Sequence, residues 1–206
     1  VFEQNSFVYA SINGAVWDEV SDAAPWLSRF DAKATTFRDQ LWIMGGESTS
    51  GITNDAWYSE DGVEWTATPI PLWMGLARDE FSVVVFRDRL WVMAGAKQIA
   101  PGDWTKATDV RASHDGQEWE MMTDSVPWYP RRNAAVTVHD GKLWLCGGDS
   151  TYGIMDDVWC SEDGVNWVNP LPPRWERRIA PGAVVFQDEM WIFGGERRDR
   201  RLNDVW

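Results

Sequence analysis

Residues Asp156 to Trp167 read DDVWCSEDGVNW, and three other stretches repeat the second half of that string. Trp57 to Trp65 gives WYSEDGVEW, Arg111 to Trp119 gives RASHDGQEW, and Tyr9 to Trp17 gives YASINGAVW. In each copy a first residue lies eight positions before a closing Trp, with a Ser and a turn pair between them. The chain ends at Trp206 in LNDVW, the opening of a fifth copy. Self-similarity at a near-constant spacing identifies a repeat architecture, in which one small unit recurs and buries its faces against its neighbours.

Working outward, each copy after the first follows a pair of hydrophobic runs. Thr35-Thr36-Phe37 and Leu41 to Met44 flank a turn at Asp39-Gln40 and stop at Gly45-Gly46. FSVVVF and LWVMAG flank Asp88-Arg89, AAVTVH and LWLCGG flank Asp140-Gly141, and GAVVF and MWIFGG flank Asp188-Glu189. Asn13-Gly14, Asp61-Gly62, Asp115-Gly116 and Asp163-Gly164 read as two-residue hairpin turns that need positive φ. Phe37, Phe86, His139 and Phe186 are equivalent, at intervals of 49, 53 and 47 residues. No helical periodicity appears. Each unit is therefore four short antiparallel strands, the sequence signature of a β-propeller blade.

The parts run 1–28, 29–77, 78–130, 131–177 and 178–206, read as one all-β propeller with about four blades visible. The second full unit has five extra residues around Pro101 to Lys106. The first part supplies a third and fourth strand, and the last supplies a first, a second and a fragment of a third. Residues 203–206 and 7–9 thus compete for one strand, so the expectation is a piece of a larger ring, assembled with further blades or another copy.

Composition narrows the partners. The 206 residues are 44% hydrophobic, enough for a sizeable core. A formal charge of −13 argues against nucleic acid and anionic membrane. Of 19 cations 15 are Arg, which suits planar bidentate or stacked contacts. No apolar run is long enough for a membrane span. The chain starts at Val1 without Met, so a processed or trimmed start is expected, and secretion is neither shown nor excluded. Cys146 and Cys160 have their midpoint in a connecting loop and are expected to face each other across a hairpin, as two small buried residues or as a disulfide.

The strand ending in Gly-Gly, an aromatic 11 positions on and a Trp eight beyond it resemble the kelch repeat. Gly45-Gly46/Trp57/Trp65 and Gly147-Gly148/Trp159/Trp167 carry the match, and Gly194-Gly195/Trp206 begins it. The second unit departs, with Ala94-Gly95 and Arg111 in those places. The resemblance implies a propeller that serves either as a protein-binding module or as a carbohydrate-handling enzyme, such as the kelch-type sialic acid mutarotases. Ser59-Glu60-Asp61-Gly62 with Trp65 also looks like the Asp-box of sialidases, which has one more residue between Asp and Gly and is structural there.

Function is sought on the loop-rich rim, opposite the tight turns. Arg29, Arg78, Arg131 and Arg178 each lie eight positions before the equivalent Phe or His, and Trp26, Trp73, Trp128 and Trp175 precede them. Arg132, Arg177 and the loop Arg197, Arg198, Arg200 and Arg201 add cations. Guanidiniums beside Trp faces would take an anionic ligand: an acidic peptide of a protein partner, or an acidic glycan. The structural alternative is that each Arg ties one blade to the next and each Trp packs beneath a loop. Among non-repeated residues, Trp104, Lys106, Tyr129, Tyr152, Glu47 and Glu196 are candidates. In the enzyme alternative an Arg holds a sugar carboxylate and a loop Glu acts as acid or base. His114 and His139 are isolated, and no metal or other cofactor is expected. No nucleophilic triad or phosphate loop is present.

Overall fold

A computed structural model describes residues 7–69, 77–100, 102–170 and 173–206. The described residues form strands and turns and no helix, and thus no helix long and apolar enough to cross a membrane. The chain divides into two compact units, Val1–Asp79 and Glu80–Trp206.

In the first unit Lys33–Phe37, Gln40–Met44, Ala56–Ser59 and Thr66–Ala67 make one four-stranded antiparallel sheet. Val8–Ala10 and Asp18–Ser21 make a separate hairpin, and Arg29–Phe30, Glu47–Ser48 and Gly51–Ile52 a small three-stranded sheet.

The second unit repeats the plan. One four-stranded sheet comprises Ser82–Phe86, Arg89–Met93, Val110–Ser113 and Glu120–Thr123. The next comprises Ala135–His139, Lys142–Cys146, Val158–Ser161 and Trp167–Val168. Gly182–Phe186 and Glu189–Phe193 form a two-stranded sheet, with a single bridge from Phe193 to Val205. Within this unit the first strands of successive repeats lie side by side. Sheets stacked in this way cover each other's faces, which is why runs such as Val83 to Phe86 are apolar throughout instead of alternating. Phe86, Trp91 and Met93 of one sheet pack on Leu143, Leu145 and Trp167 of the next. Cys146 and Val158 on the far side of that sheet pack with Ile192.

Both turn types differ from expectation in detail. The first hairpin closes Phe37 onto Gln40, so its loop is Arg38-Asp39, with φ of 51° and 58°. The equivalent loops are Arg87-Asp88 and Gln187-Asp188; only Asp140-Gly141 falls where the Asp-Gly rule places it. Two positive φ values are the requirement of a two-residue turn that follows strand twist. Each hairpin is capped by the second strand's Trp: Trp42, Trp91, Trp144 and Trp191 donate Nε1–H to the carbonyl of Phe37, Phe86, His139 and Phe186.

The Asp-Gly copies are not two-residue turns. Trp57 pairs with Ala67 and Tyr58 with Thr66, leaving a longer loop. Side chains organise it: Asp61 Oδ1 accepts from the N–H of Val63 and Glu64, and Ser59 Oγ from Gly62. The same bonds recur at Ser113/Asp115 and Ser161/Asp163. Short polar side chains bonding their own backbone explain the repeated Ser and Asp. Gly164 has a second reason to lack a side chain, since a Cβ there would lie 2.1 Å from the Trp91 ring.

Cys146 pairs with Val158 and Cys160 with Trp144, two residues from the expected register. The cysteines are not opposed, and both are free and buried. Burial pushes the Cys146 thiol up to about 12, with the nearby Asp157 adding to it.

Candidate functional site

The repeated arginines are held inside their repeats. Arg131 opens the short strand Arg131–Arg132 and is fully buried. Its Nη1 donates to the Gly147 carbonyl at 2.9 Å, and its two terminal nitrogens grip Asp157 at 2.5 and 2.7 Å. Asp157 Oδ2 also accepts from Trp159 Nε1 at 2.8 Å. Arg29 does the same with Gly45, Asp55 and Trp57, and Arg178 with Gly194, Asp204 and Trp206. Burial raises the Asp55 carboxyl, but bonds from Arg29 and Trp57 outweigh it and leave the group below its ordinary range. Bonds from Arg178 and Trp206 hold Asp204 well below the carboxylate range. Arg78 is likewise fully buried on its own short strand.

Each clamp joins the short inter-repeat strand to the diglycine and to the third strand of the same repeat. The bonds to the diglycine carbonyl and to the aspartate run within a repeat, while the Arg131 and Arg178 carbonyls accept from Gly95 and Gly148 of the preceding one. The aspartates that complete them escaped the sequence reading, although Asp55, Asp109, Asp157 and Asp204 all stand two positions before Trp57, Arg111, Trp159 and Trp206.

The repeated tryptophans pack on those same third strands. Trp26 lies edge-on to Trp65 at 4.7 Å and tilts against Trp57. Trp128 repeats this on Trp167 at 4.4 Å and on Trp159. Trp175 packs beside Cys146 and Ile192, with the Arg178 guanidinium over its ring. Trp73 lies outside the described residues.

Two positions past each repeated Arg stands a residue with positive φ: Asp31, Glu80, Asn133 and Ala180, at 49° to 56°. In the second unit the Asn133 N–H donates to the Glu80 carbonyl and the Ala180 N–H to the Asn133 carbonyl, both at 2.9 Å. A left-handed non-glycine residue is strained, and such strain gathers at functional sites. Here backbone geometry is repeated while side chains vary. Glu80 accepts from Arg132 and Asn133 at 2.7 Å each, and Arg132 and Lys106 both bond Asp149.

The extra residues of the second repeat extend a hairpin, Ala96–Ala100 with Asp103–Lys106. Lys106 fastens it to Asp149, while Trp104 stands exposed near its tip. Tyr129 and Tyr152, both exposed, meet with ring centroids 4.6 Å apart. Beside Tyr152 opens a cleft of about 720 Å³, lined by Ile154, Asp156, Arg177, Arg197, Arg198 and Asp199 among others. Glu176, in its wall, is gripped by Arg197 and Arg200, which hold its carboxyl below the ordinary range. Arg177 reaches Asp156 only at 3.6 Å. Arg198 has no acidic partner among the described residues. Glu196 is exposed at the start of that loop and makes backbone bonds with Ile179. Glu47 is half-buried in the small sheet of the first unit. The described residues contain no group of His, Cys, Asp and Glu able to hold a metal.

Repeated four-stranded antiparallel sheets, stacked within the Glu80–Trp206 unit and accompanied by the clamps of Arg29, Arg131 and Arg178, are those of a β-propeller. Comparison with known proteins agrees. A family model of the Kelch motif matches residues 130–160. Alpha-scruin of Limulus polyphemus is 33% identical over 88 residues, 40% of this chain and 9% of that protein. Beta-scruin of the same organism is 39% identical over 74 residues, 32% of this chain and 8% of that protein. The chain thus spans less than a tenth of these curated relatives. A solved structure titled "Structure of YjhT" superposes with a TM-score of 0.76 at 17% identity, over 93% of this chain and 67% of that one. At that identity the likeness establishes the fold. The chain has the fold of a β-propeller and carries a Kelch motif, an architecture that serves broadly as a binding or scaffolding module.

Proposed function

We propose that this chain binds an anionic partner, an acidic segment of another protein, at the cleft beside Tyr152. The observation that carries this reading is the state of the arginines. The repeated ones spend their donors on Asp55, Asp157 and Asp204. Around the cleft, by contrast, four arginines (177, 197, 198 and 200) face three carboxylates (Asp156, Glu176 and Asp199), with Arg198 unpaired among the described residues. An excess guanidinium in a molecule of net charge −13 is a local exception, and a planar fork beside aromatic rings suits carboxylates. Tyr129 and Tyr152 supply contact area at small entropic cost.

The carbohydrate-active alternative needs a loop carboxylate able to move a proton near neutral pH. The carboxyls of Asp55, Asp149, Glu176 and Asp204 are all displaced downward. Glu80 and Glu176 are both gripped by neighbouring donors. This supports binding over acid–base catalysis.

Titration calorimetry with a polyglutamate peptide and, separately, with N-acetylneuraminic acid tests the reading. Peptide binding weakened at least about tenfold in Arg177→Ala/Arg198→Ala, and weakened by salt, is expected. Unchanged peptide affinity in that double variant would remove the cleft as the site. Binding of the sugar alone, with accelerated exchange of its anomers by NMR, would replace the binder reading with the enzyme.

A further inference from the structure

We infer that the acidic partner also carries an aromatic residue, which the extended hairpin of the second repeat holds while the acidic residues sit in the cleft. This rests on the cleft reading above. All the residues concerned belong to the Glu80–Trp206 unit.

The hairpin at this place is short in the first and third repeats, where Glu47–Ser48 pairs with Gly51–Ile52 and Asp149–Ser150 with Gly153–Ile154. In the second repeat Ala96–Ala100 pairs with Asp103–Lys106, so its tip stands further out. Ordering a longer arm costs conformational entropy, and two ion pairs hold this one. Lys97 binds Asp109 of its own repeat, and Lys106 binds Asp149 of the next at 3.0 Å. The arm is fixed on both sides, yet what it holds up is apolar. Trp104 is 43% exposed, and Ile99, which a bulge leaves unpaired, is 50% exposed. An indole on a rigid support offers a large contact area with little left to order on binding, the character of an interface anchor.

The direction of the arm follows from its register. Trp104 and Lys106 are two residues apart in one strand, so their side chains stand on one face. Lys106 reaches Asp149, so that face is turned to the hairpin whose loop carries Tyr152. Tyr152 meets Tyr129, and the arginine cleft opens beside it. Trp104, the tyrosine pair and the cleft arginines therefore follow one another across three successive repeats. Stacked sheets stand about 10 Å apart, so an extended chain rising about 3.3 Å per residue covers the two spacings in about six residues. Charge sets which end goes where. Asp103 is exposed beside Trp104, whereas the surplus guanidinium lies at the cleft. The acidic residues of the partner belong in the cleft and the aromatic ring on the arm.

Fluorescence polarisation with two labelled peptides tests this. One carries a run of glutamates, a spacer of about six Gly and Ser residues and a terminal Phe; the other has Ser in place of the Phe. Each is made in both chain directions. The wild-type chain is expected to bind the Phe peptide at least about tenfold more tightly than the Ser peptide in one direction. Trp104→Ser is expected to bring the two peptides to equal affinity. Ile99→Ser is the second variant, should Trp104→Ser lose native near-ultraviolet circular dichroism, and is expected to shrink the same ratio. Arg177→Ala/Arg198→Ala is expected to weaken both peptides and keep their ratio. Equal binding of the two peptides by the wild-type chain, or a Phe advantage that survives in both arm variants, would overturn the inference and leave the cleft reading standing. Failure of both peptides to bind, or Ser-peptide binding that is unchanged in the arginine double variant, would overturn the cleft reading and this inference with it.

Discussion

The second and third repeats solve one problem with different side chains. In the third, Asp157 takes the buried Arg131 on one side and the neutral indole N–H of Trp159 on the other. In the second, Asp109 stands in the same place, but Arg111 replaces the indole and donates Nε–H at 2.7 Å, and Lys97 of the extended hairpin adds an ion pair. What repeats is a donor aimed at the aspartate, not an aromatic ring. Lys97 stands where the other repeats have Ser48 and Ser150, so this extra ion pair comes from a substitution and not from the added residues.

The largest test of that comparison removes the aspartate. Asp157→Ala leaves Arg131 fully buried with no counter-charge. Loss of one partner from a buried ion pair costs about 3–5 kcal/mol. Urea denaturation is therefore expected to show a loss of that order. A loss near 1 kcal/mol, the ordinary value of one hydrogen bond, would mean that the clamp is ornamental.

How much of this was legible follows from the same residues. The repeat, the strand pairs and the diglycines were readable because each rests on a local rule: an apolar run, a turn, or a backbone approach. A Cβ on Gly148 would lie 2.8 Å from the Arg132 carbonyl, and a glycine at that place in every repeat signals such crowding. The arginines were visible, but their fate was not, because burial and pairing are set by residues 26 positions away in Asp157 and Asp204. The hairpin turns were displaced by one residue because Asp-Gly is the favoured I′ pair, and only Asp140-Gly141 obeys it. Arg38-Asp39 adopts the same conformation at a cost that the flanking strands cover. Tyr129 and Tyr152 were picked out for not repeating; their contact is a property of two loops that no periodicity describes.

If a donor is what matters, exchanging donors is mild. Trp159→Phe keeps the ring and loses only the N–H, so a loss of about 1 kcal/mol in urea denaturation is expected. Arg111→Trp turns the second repeat toward the pattern of the third and is expected to change stability by less than about 1.5 kcal/mol. A loss comparable to Asp157→Ala would show that the two repeats depend on charge in different degrees, and the equivalence drawn above would fail.

A smaller contrast lies at the diglycine. Gly45, Gly147 and Gly194 adopt φ of 56°, 62° and 59°, and Ala94 adopts 59° in their place. A left-handed alanine costs about 1–2 kcal/mol in the folded state, against a smaller entropic advantage in the unfolded chain. Ala94→Gly is therefore expected to stabilise the protein by about 0.5–1 kcal/mol, read as a raised melting temperature.

The smallest effect expected is a matter of pH. Burial alone would raise the Asp163 carboxyl, but the Asn166 side chain, the N–H groups of Asn166 and Val165 and the Ser161 hydroxyl hold it at about 2. The folded value lies below the ordinary 3.8, so the stabilisation is present above about pH 4 and disappears as pH falls toward 2. In the first copy Asn13 fills this role, accepting from Ala15 and Val16 at 2.9 Å with a group that does not titrate. Asp163→Asn should therefore leave stability at neutral pH nearly unchanged and flatten its decline between about pH 4 and 2. An unchanged acid slope in urea denaturation would mean that other carboxylates carry it, and that the aspartate of this loop is there for its oxygen and not for its charge.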